Sequence, residues 1–167
     1  MDKIVFITGA SSGIGAGCAR KFASQGASLI LNARNVNKLS ALKEELEKQY
    51  GAKIYLLPFD VRDRKAATSA LESLPKEWQS IDILVNNAGL VIGTDKEQEG
   101  SLDEWDIVID TNIKALLAMT RLIVPGMVER KRGHIINIGS IAGDAAYPGG
   151  SVYCATTVSY THLTLPT

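Results

Sequence analysis

A chain of 167 residues, 46% of them apolar, is long enough to enclose the core of one domain. Its 18 Lys and Arg balance 18 Asp and Glu, so no basic field points to nucleic acid and no block of like charge forms a solvated tail. Two cysteines, Cys18 and Cys154, make neither a disulfide framework nor a metal spacing; they fit a reducing cytoplasm and pack as small apolar residues.

Predicted elements alternate from the start. Residues 4–7, I-V-F-I, form a β-branched and aromatic run of the kind buried on both faces of a parallel sheet. Only Met1, Asp2 and Lys3 precede it, so no signal peptide is expected, and no apolar run approaches the length of a membrane span. Residues 8–15, T-G-A-S-S-G-I-G, lead into a helix in which Ala16, Ala19, Phe22 and Ala23 recur at helical spacing. A second strand covers 28–33. A helix over 36–50 carries Leu39, Leu42 and Leu46 on one stripe. A third strand spans 53–57, a helix runs from 62 to 74 before Pro75, and a fourth strand over 81–85 enters N-N-A-G at 86–89. A polar loop at 93–100 precedes a helical stretch over 102–130, in two pieces, with Pro125 near its end. The fifth strand, 134–138, opens into a glycine-rich loop over 139–150. This order predicts an α/β doubly wound parallel sheet of Rossmann type, with helices on both faces, truncated after the fifth strand.

The polar segments cluster at the carboxyl ends of these strands, where such sheets bind their ligands. After strand one, a glycine turn at a helix start offers unpaired N–H groups and the positive end of a dipole to an anion. Gly9, Gly13 and Gly15 form a longer variant of the usual dinucleotide spacing, and glycine lets the main chain approach a pyrophosphate. The alternative is a plain tight turn. After strand two, Arg34 stands 19 residues beyond Gly15, where a dinucleotide fold reads the ribose. Asn32, Ala33, Arg34 and Asn35 include no acid, and a guanidinium suits a 2′-phosphate, so NADP is favoured over NAD; a solvated loop arginine is the other reading. After strand three, Asp60 either bonds an adenine amino group or caps the next helix.

Three further residues carry candidate chemistry. A phenol such as Tyr153 becomes a general acid or base near neutrality only beside positive charge. Ser140 can hold a substrate oxygen, and Asn112 can break the ladder of the long helix and hold a water. Taken singly they also read as a half-buried aromatic, a turn residue and a helix kink. His134, Trp78 and Trp105 read as structural residues.

Together, T-G-x-x-x-G-x-G, N-N-A-G, Asn112, Ser140 and Tyr153 thirteen residues after Ser140 resemble the short-chain dehydrogenase/reductase family over residues 1–156. The resemblance implies that Thr8, Gly9, Ser11, Ser12, Gly13, Ile14, Gly15, Arg34, Asp60, Val61, Asn87, Ala88, Gly89 and Tyr153 hold NADP. It also implies that Asn112, Ser140 and Tyr153 are three members of a catalytic Asn-Ser-Tyr-Lys tetrad, with no metal. The stretches S-L-P-K-E-W-Q-S-I-D-I-L-V-N-N-A-G-L and M-T-R-L-I-V-P-G-M-V-E-R-K-R-G-H-I-I-N-I-G-S are similar to the NADP-dependent 3-hydroxy acid dehydrogenases, which oxidise serine and L-allo-threonine. That likeness implies a cytoplasmic enzyme with a small hydroxy acid as substrate, bound to neither nucleic acid nor membrane, and a homo-oligomer, dimer or tetramer.

The sequence departs from the family at one decisive position. The lysine expected four residues after Tyr153 is replaced by Thr157, so the chain as written is expected to be inactive. Residues 158–167, V-S-Y-T-H-L-T-L-P-T, resemble one reading frame of a transposase adapter used in DNA library preparation: GTC TCT TAT ACA CAT CTG ACG CTG CCG ACG. The adapter bases before it are CT, and an A completes a threonine codon at 157; lysine codons begin with the same base. The expectation is therefore that residues 1–157 are the N-terminal part of a single dinucleotide-binding and catalytic domain, and that 158–167 are a non-native tail that does not continue the helix begun near Tyr153. Loss of the later elements uncovers part of strand five, so the 167-residue chain is expected to be poorly soluble or molten.

Overall fold

Five short strands, β1 (Ile4–Ile7), β2 (Ser28–Leu31), β3 (Ile54–Leu56), β4 (Ile81–Asn86) and β5 (His134–Asn137), all pair in parallel in the order β3-β2-β1-β4-β5. They come from a computed structural model that describes residues 3–93 and 95–163. Side chains alternate across a strand, and that alternation builds two cores. Val5, Ile7, Leu29, Leu31 and Val85 point into one layer with α1 (Gly13–Ser24) and α2 (Val36–Tyr50). Phe6, Ile30 and Leu84, paired in register across three strands, point into the other with α3 (Arg64–Glu72) and α5 (Leu116–Glu129). The chain winds one way through β1, β2 and β3, then crosses to β4 beside β1. The crevice where winding reverses lies at the carboxyl ends of β1 and β4, as the doubly wound fold requires.

Several boundaries shift for identifiable reasons. β2 stops at Leu31 because the Asn32 carbonyl leaves the ladder to accept the Ala10 N–H at 2.9 Å. α3 begins at Arg64 rather than 62 because Asp63, in extended conformation, accepts the N–H groups of Lys65 and Ala66. The cap is thus Asp63, which corrects the capping alternative for Asp60. The stretch over 102–130 is α4 (Leu102–Ile109) joined to α5 through a π turn, Asp110–Ala115, with Pro125 inside α5. Asn112 sits in that turn, where the ladder was expected to break.

The C-terminal expectation needs a correction. α6 (Ser151–Val158) carries Tyr153 through Thr157 to Val158, and a 3₁₀ turn, Ser159–His162, follows it. Residues 158–162 therefore continue the rod. Within it, Thr156 and Thr157 Oγ1 both bond back to the preceding turn, donating to the Tyr153 carbonyl at 2.8 and 2.7 Å. Residues 164–167 of the expected tail lie outside the described residues.

Every residue of β4 is buried, whereas none of β5 is, because β5 is an edge of the sheet. Among the described residues, no helix is long and apolar enough to cross a membrane, and no cluster of side chains is suited to a metal ion.

Candidate functional site

The glycine turn is braced from behind by residues of the β4 exit. Thr8 is buried; its Oγ1 donates to the Val85 carbonyl and accepts the N–H groups of Asn87 and Ala88 at 3.0 and 2.9 Å. Asn87 Nδ2 donates to the carbonyls of Thr8 and Gly9, at 2.9 and 3.1 Å. Both residues thus tie the ends of β1 and β4 together. Gly15 has to be glycine for the same contact: a Cβ there would stand 2.4 Å from the Gly9 oxygen and 2.5 Å from Asn87 Nδ2. Gly13 differs, with φ +53° and open space where its Cβ would be. Ser12, extended, makes no side-chain cap, and the first turn of α1 contains no acid. The N–H groups of Gly13, Ile14 and Gly15 are left for an anion, and Ile14 itself is exposed.

In front of this turn lies a cleft of about 530 Å³, a size suited to a small-molecule ligand. Gly9, Ser11 and Ser12 form one wall, Ala88 and Gly89 another, and Arg34, Asp60 and Val61 the far end. The loops after four successive strands therefore meet around one space. Asn32, fully buried, shapes it: its Nδ2 donates to the Leu57 and Phe59 carbonyls at 3.0 and 3.1 Å, which sets the course of the chain into Asp60. Asn32 Oδ1 has no partner among the described residues.

Arg34 is largely exposed, its Nη1 3.8 Å from Asp60 Oδ2. Arg62 holds Asp60 more closely, with Nε 3.1 Å from Oδ1 and Nη2 2.7 Å from Oδ2, a two-pronged pair. Those bonds, with a smaller contribution from Arg34, keep the Asp60 carboxyl below its usual range. The sequence placed Asn32 in the acid-free loop after strand two without its bracing role, and it did not single out Arg62. The available signals were a carboxamide directly after a buried strand and a base two residues beyond Asp60.

The other side of the crevice contains the remaining candidates. Asn112 is buried in the π turn; its Oδ1 accepts the Leu90 N–H and its Nδ2 donates to the Leu90 carbonyl, each at 2.9 Å, and to Thr156 Oγ1 at 3.1 Å. Its main-chain carbonyl accepts the Tyr160 hydroxyl at 2.6 Å. Burial pushes the Tyr160 phenol up to about 12, with the neighbouring Tyr153 adding to the shift. A Cβ on Gly139 would lie 3.9 Å from the Tyr160 ring, so Tyr160 stands between the end of β5 and Asn112. Ser140 Oγ accepts the Ala142 N–H at 3.2 Å and opens a 3₁₀ turn, Ile141–Gly143. Tyr153 is half-buried in the first turn of α6 and borders a small pocket with Trp105 and Val91, apart from the main cleft. Thr157 is buried and turned toward the Tyr153 carbonyl, and it brings no charge to the phenol. No hydrogen bond links Ser140 to Tyr153 among the described residues.

The profile of the family described as short chain dehydrogenase matches residues 3–166. The chain belongs to that family. Among short chain dehydrogenases, it is 50% identical over 153 residues to the NADP-dependent 3-hydroxy acid dehydrogenase YdfG of Escherichia coli K12, covering 92% of this chain and 60% of that protein. The chain thus spans about 60% of the length of the curated relatives it matches. A crystal structure of serine dehydrogenase from Escherichia coli superposes with a TM-score of 0.88 at 48% identity, over 94% of this chain and 71% of that one. The closed form of serine dehydrogenase complexed with NADP⁺ gives 0.87 at 47% identity, over 94% and 62%. The short chain dehydrogenase fold thus accounts for the described chain, and the cleft fits the phosphate-bearing half of a dinucleotide. Its open helix N-terminus and exposed arginine have the right charge, and among the described residues no carboxylate other than the paired Asp60 lines it.

Proposed function

We propose that the whole protein is an NADP-dependent dehydrogenase that oxidises the hydroxyl of a 3-hydroxy acid such as serine or L-allo-threonine. The observation that carries this reading is Arg34 at the exit of β2, in a cleft whose one carboxylate among the described residues is paired, in a chain half identical to a protein named for that reaction. The N-terminal turn of α1 binds the pyrophosphate, Arg34 the 2′-phosphate, and Asp60 with Val61 the adenine. NADP supplies the acceptor for hydride. Tyr153 takes the proton of the substrate hydroxyl, Ser140 orients that oxygen, and Asn112 holds a water for proton relay. A lysine in place of Thr157 supplies the positive charge that the Tyr153 phenol needs to act as a base. Residues 158–167 are a non-native tail in this reading, and the whole protein works in the cytoplasm as a dimer or tetramer on its small substrate, without nucleic acid.

The test begins with the source DNA across codon 157, followed by expression of the full frame. A lysine codon and a long open frame are expected. The product should oxidise serine and 3-hydroxypropionate with NADP and should favour NADP over NAD. The same full-length product made with threonine at position 157, the residue found here, should lose on the order of 100-fold or more in turnover. Absence of hydroxy acid turnover by the full frame removes this reading. A genuine threonine codon running into V-S-Y-T-H-L-T-L-P-T supports a second reading, a non-catalytic nucleotide-binding chain. That reading is favoured by the buried, locally bonded Thr157 and by the Tyr160 hydroxyl on the Asn112 carbonyl.

A further inference from the structure

Asp60 poses an electrostatic problem for the nucleotide assigned above. A carboxylate 3.8 Å from the guanidinium of Arg34 competes for the group that is to receive a 2′-phosphate, and its charge repels that phosphate. Its side chain is only 30% exposed, so water screens the repulsion incompletely. Arg62 answers both effects. Its fork engages both Asp60 oxygens, at 3.1 and 2.7 Å, while its main-chain N–H adds a bond to Oδ1 at 3.0 Å. Arg34, at 3.8 Å and 67% exposed, makes no hydrogen bond to the carboxylate and stays available. Arg62 also lines the cleft.

We propose that Arg62 sets the preference for a 2′-phosphorylated nucleotide by locking Asp60 in a two-pronged ion pair, which cancels the carboxylate's charge beside Arg34 and leaves the Arg34 guanidinium free for the phosphate. Arg62 is thus a positioning residue that acts through Asp60, and the inference rests on the reading of Arg34 as the phosphate reader. Without the fork, Asp60 turns its charge on Arg34, and discrimination falls while binding of the unphosphorylated nucleotide persists. Lysine at 62 keeps the charge but not the planar fork, so it restores only part of the effect.

The experiment uses isothermal titration of the full-length protein with adenosine 2′,5′-bisphosphate and with adenosine 5′-monophosphate, read as the ratio of the two affinities. Circular dichroism and thermal midpoint verify the fold of each variant. Arg34→Gln should bring the ratio close to one; if it leaves the ratio unchanged, the reading of Arg34 fails, and with it the basis of the inference. Arg62→Gln should lower the ratio about 10-fold, and Arg62→Lys by less. In an Asp60→Asn background, Arg62→Gln should leave the ratio unchanged, because no carboxylate remains to neutralise. An undiminished loss in that background overturns the proposal in favour of direct contact between Arg62 and the phosphate. An unchanged ratio for Arg62→Gln, with Arg34→Gln still effective, overturns it while sparing the reading of Arg34. A fall in thermal midpoint with the ratio intact likewise leaves Arg62 a purely structural role and overturns the proposal.

Discussion

At the residue scale, the site depends on single groups placed to within a few tenths of an ångström. Gly15 faces the Gly9 carbonyl and the Asn87 amide so closely that one methyl group must displace both. Gly15→Ala in the full-length protein is therefore expected to cost about 1–3 kcal/mol of stability by overpacking. The glycine turn should move with it, which guanidinium unfolding and nucleotide titration together would register. Gly13→Ala meets no neighbour and suffers only the strain of its positive φ, so its stability loss should be the smaller of the two. Asp60 provides a pH signature. Its carboxyl is held below the ordinary range by Arg62, so the folded state binds the proton less readily than the unfolded one. The stabilisation is complete above about pH 5, where a free aspartate is almost fully ionised, and is lost as pH falls through the depressed folded value. Asp60→Asn should flatten the acid limb of a stability–pH curve over that window; an unchanged limb contradicts the pairing.

At the element scale, two aspartates three residues apart take different roles, and their mutants should separate them. Asp63 accepts two N–H groups at the start of α3, whereas Asp60 bonds none of that helix's first turn. Asp63→Ala is expected to lose about 1 kcal/mol in urea unfolding, the usual worth of an N-cap. Its nucleotide affinity should stay close to that of the parent. The π turn between α4 and α5 is another element with a local cause and a distant effect. It places the buried Asn112 so that its amide bonds both polar groups of Leu90 while its carbonyl faces the C-terminal rod. The pattern over 102–130 signalled two helical pieces, and Asn112 a local break in the ladder. That the joint is one continuous rod with a widened turn followed from packing against residues 90 and 156, far away in sequence.

At the scale of the whole molecule, the sheet is asymmetric. β1, β2 and β4 are sandwiched between helices, and β5 forms an incompletely covered edge. A parallel edge of this kind exposes unpaired backbone groups together with half-buried Ile135 and Ile136. The 167-residue polypeptide is therefore expected to precipitate or bind a hydrophobic dye and to show no sharp thermal transition, while the full frame unfolds cooperatively. A sharp, reversible transition for the 167-residue form would count against this expectation.

Local order in the sequence determined the strand and helix succession, the parallel sheet and the set of loops that meet at the cleft. Apolar periodicity and glycine spacing act within a few residues, and the right-handed crossover rule does the rest. Tertiary structure alone decided which partner each polar side chain takes. Thr8 and Asn87 brace one another across 79 positions, and Asn112 meets Thr156 across 44. Asp60, given two readings from the sequence, was claimed by Arg62 because the cap belonged to Asp63. A hydrogen bond depends on distance and angle in space, and no spacing along the chain encodes either until the sheet has brought the strand ends together.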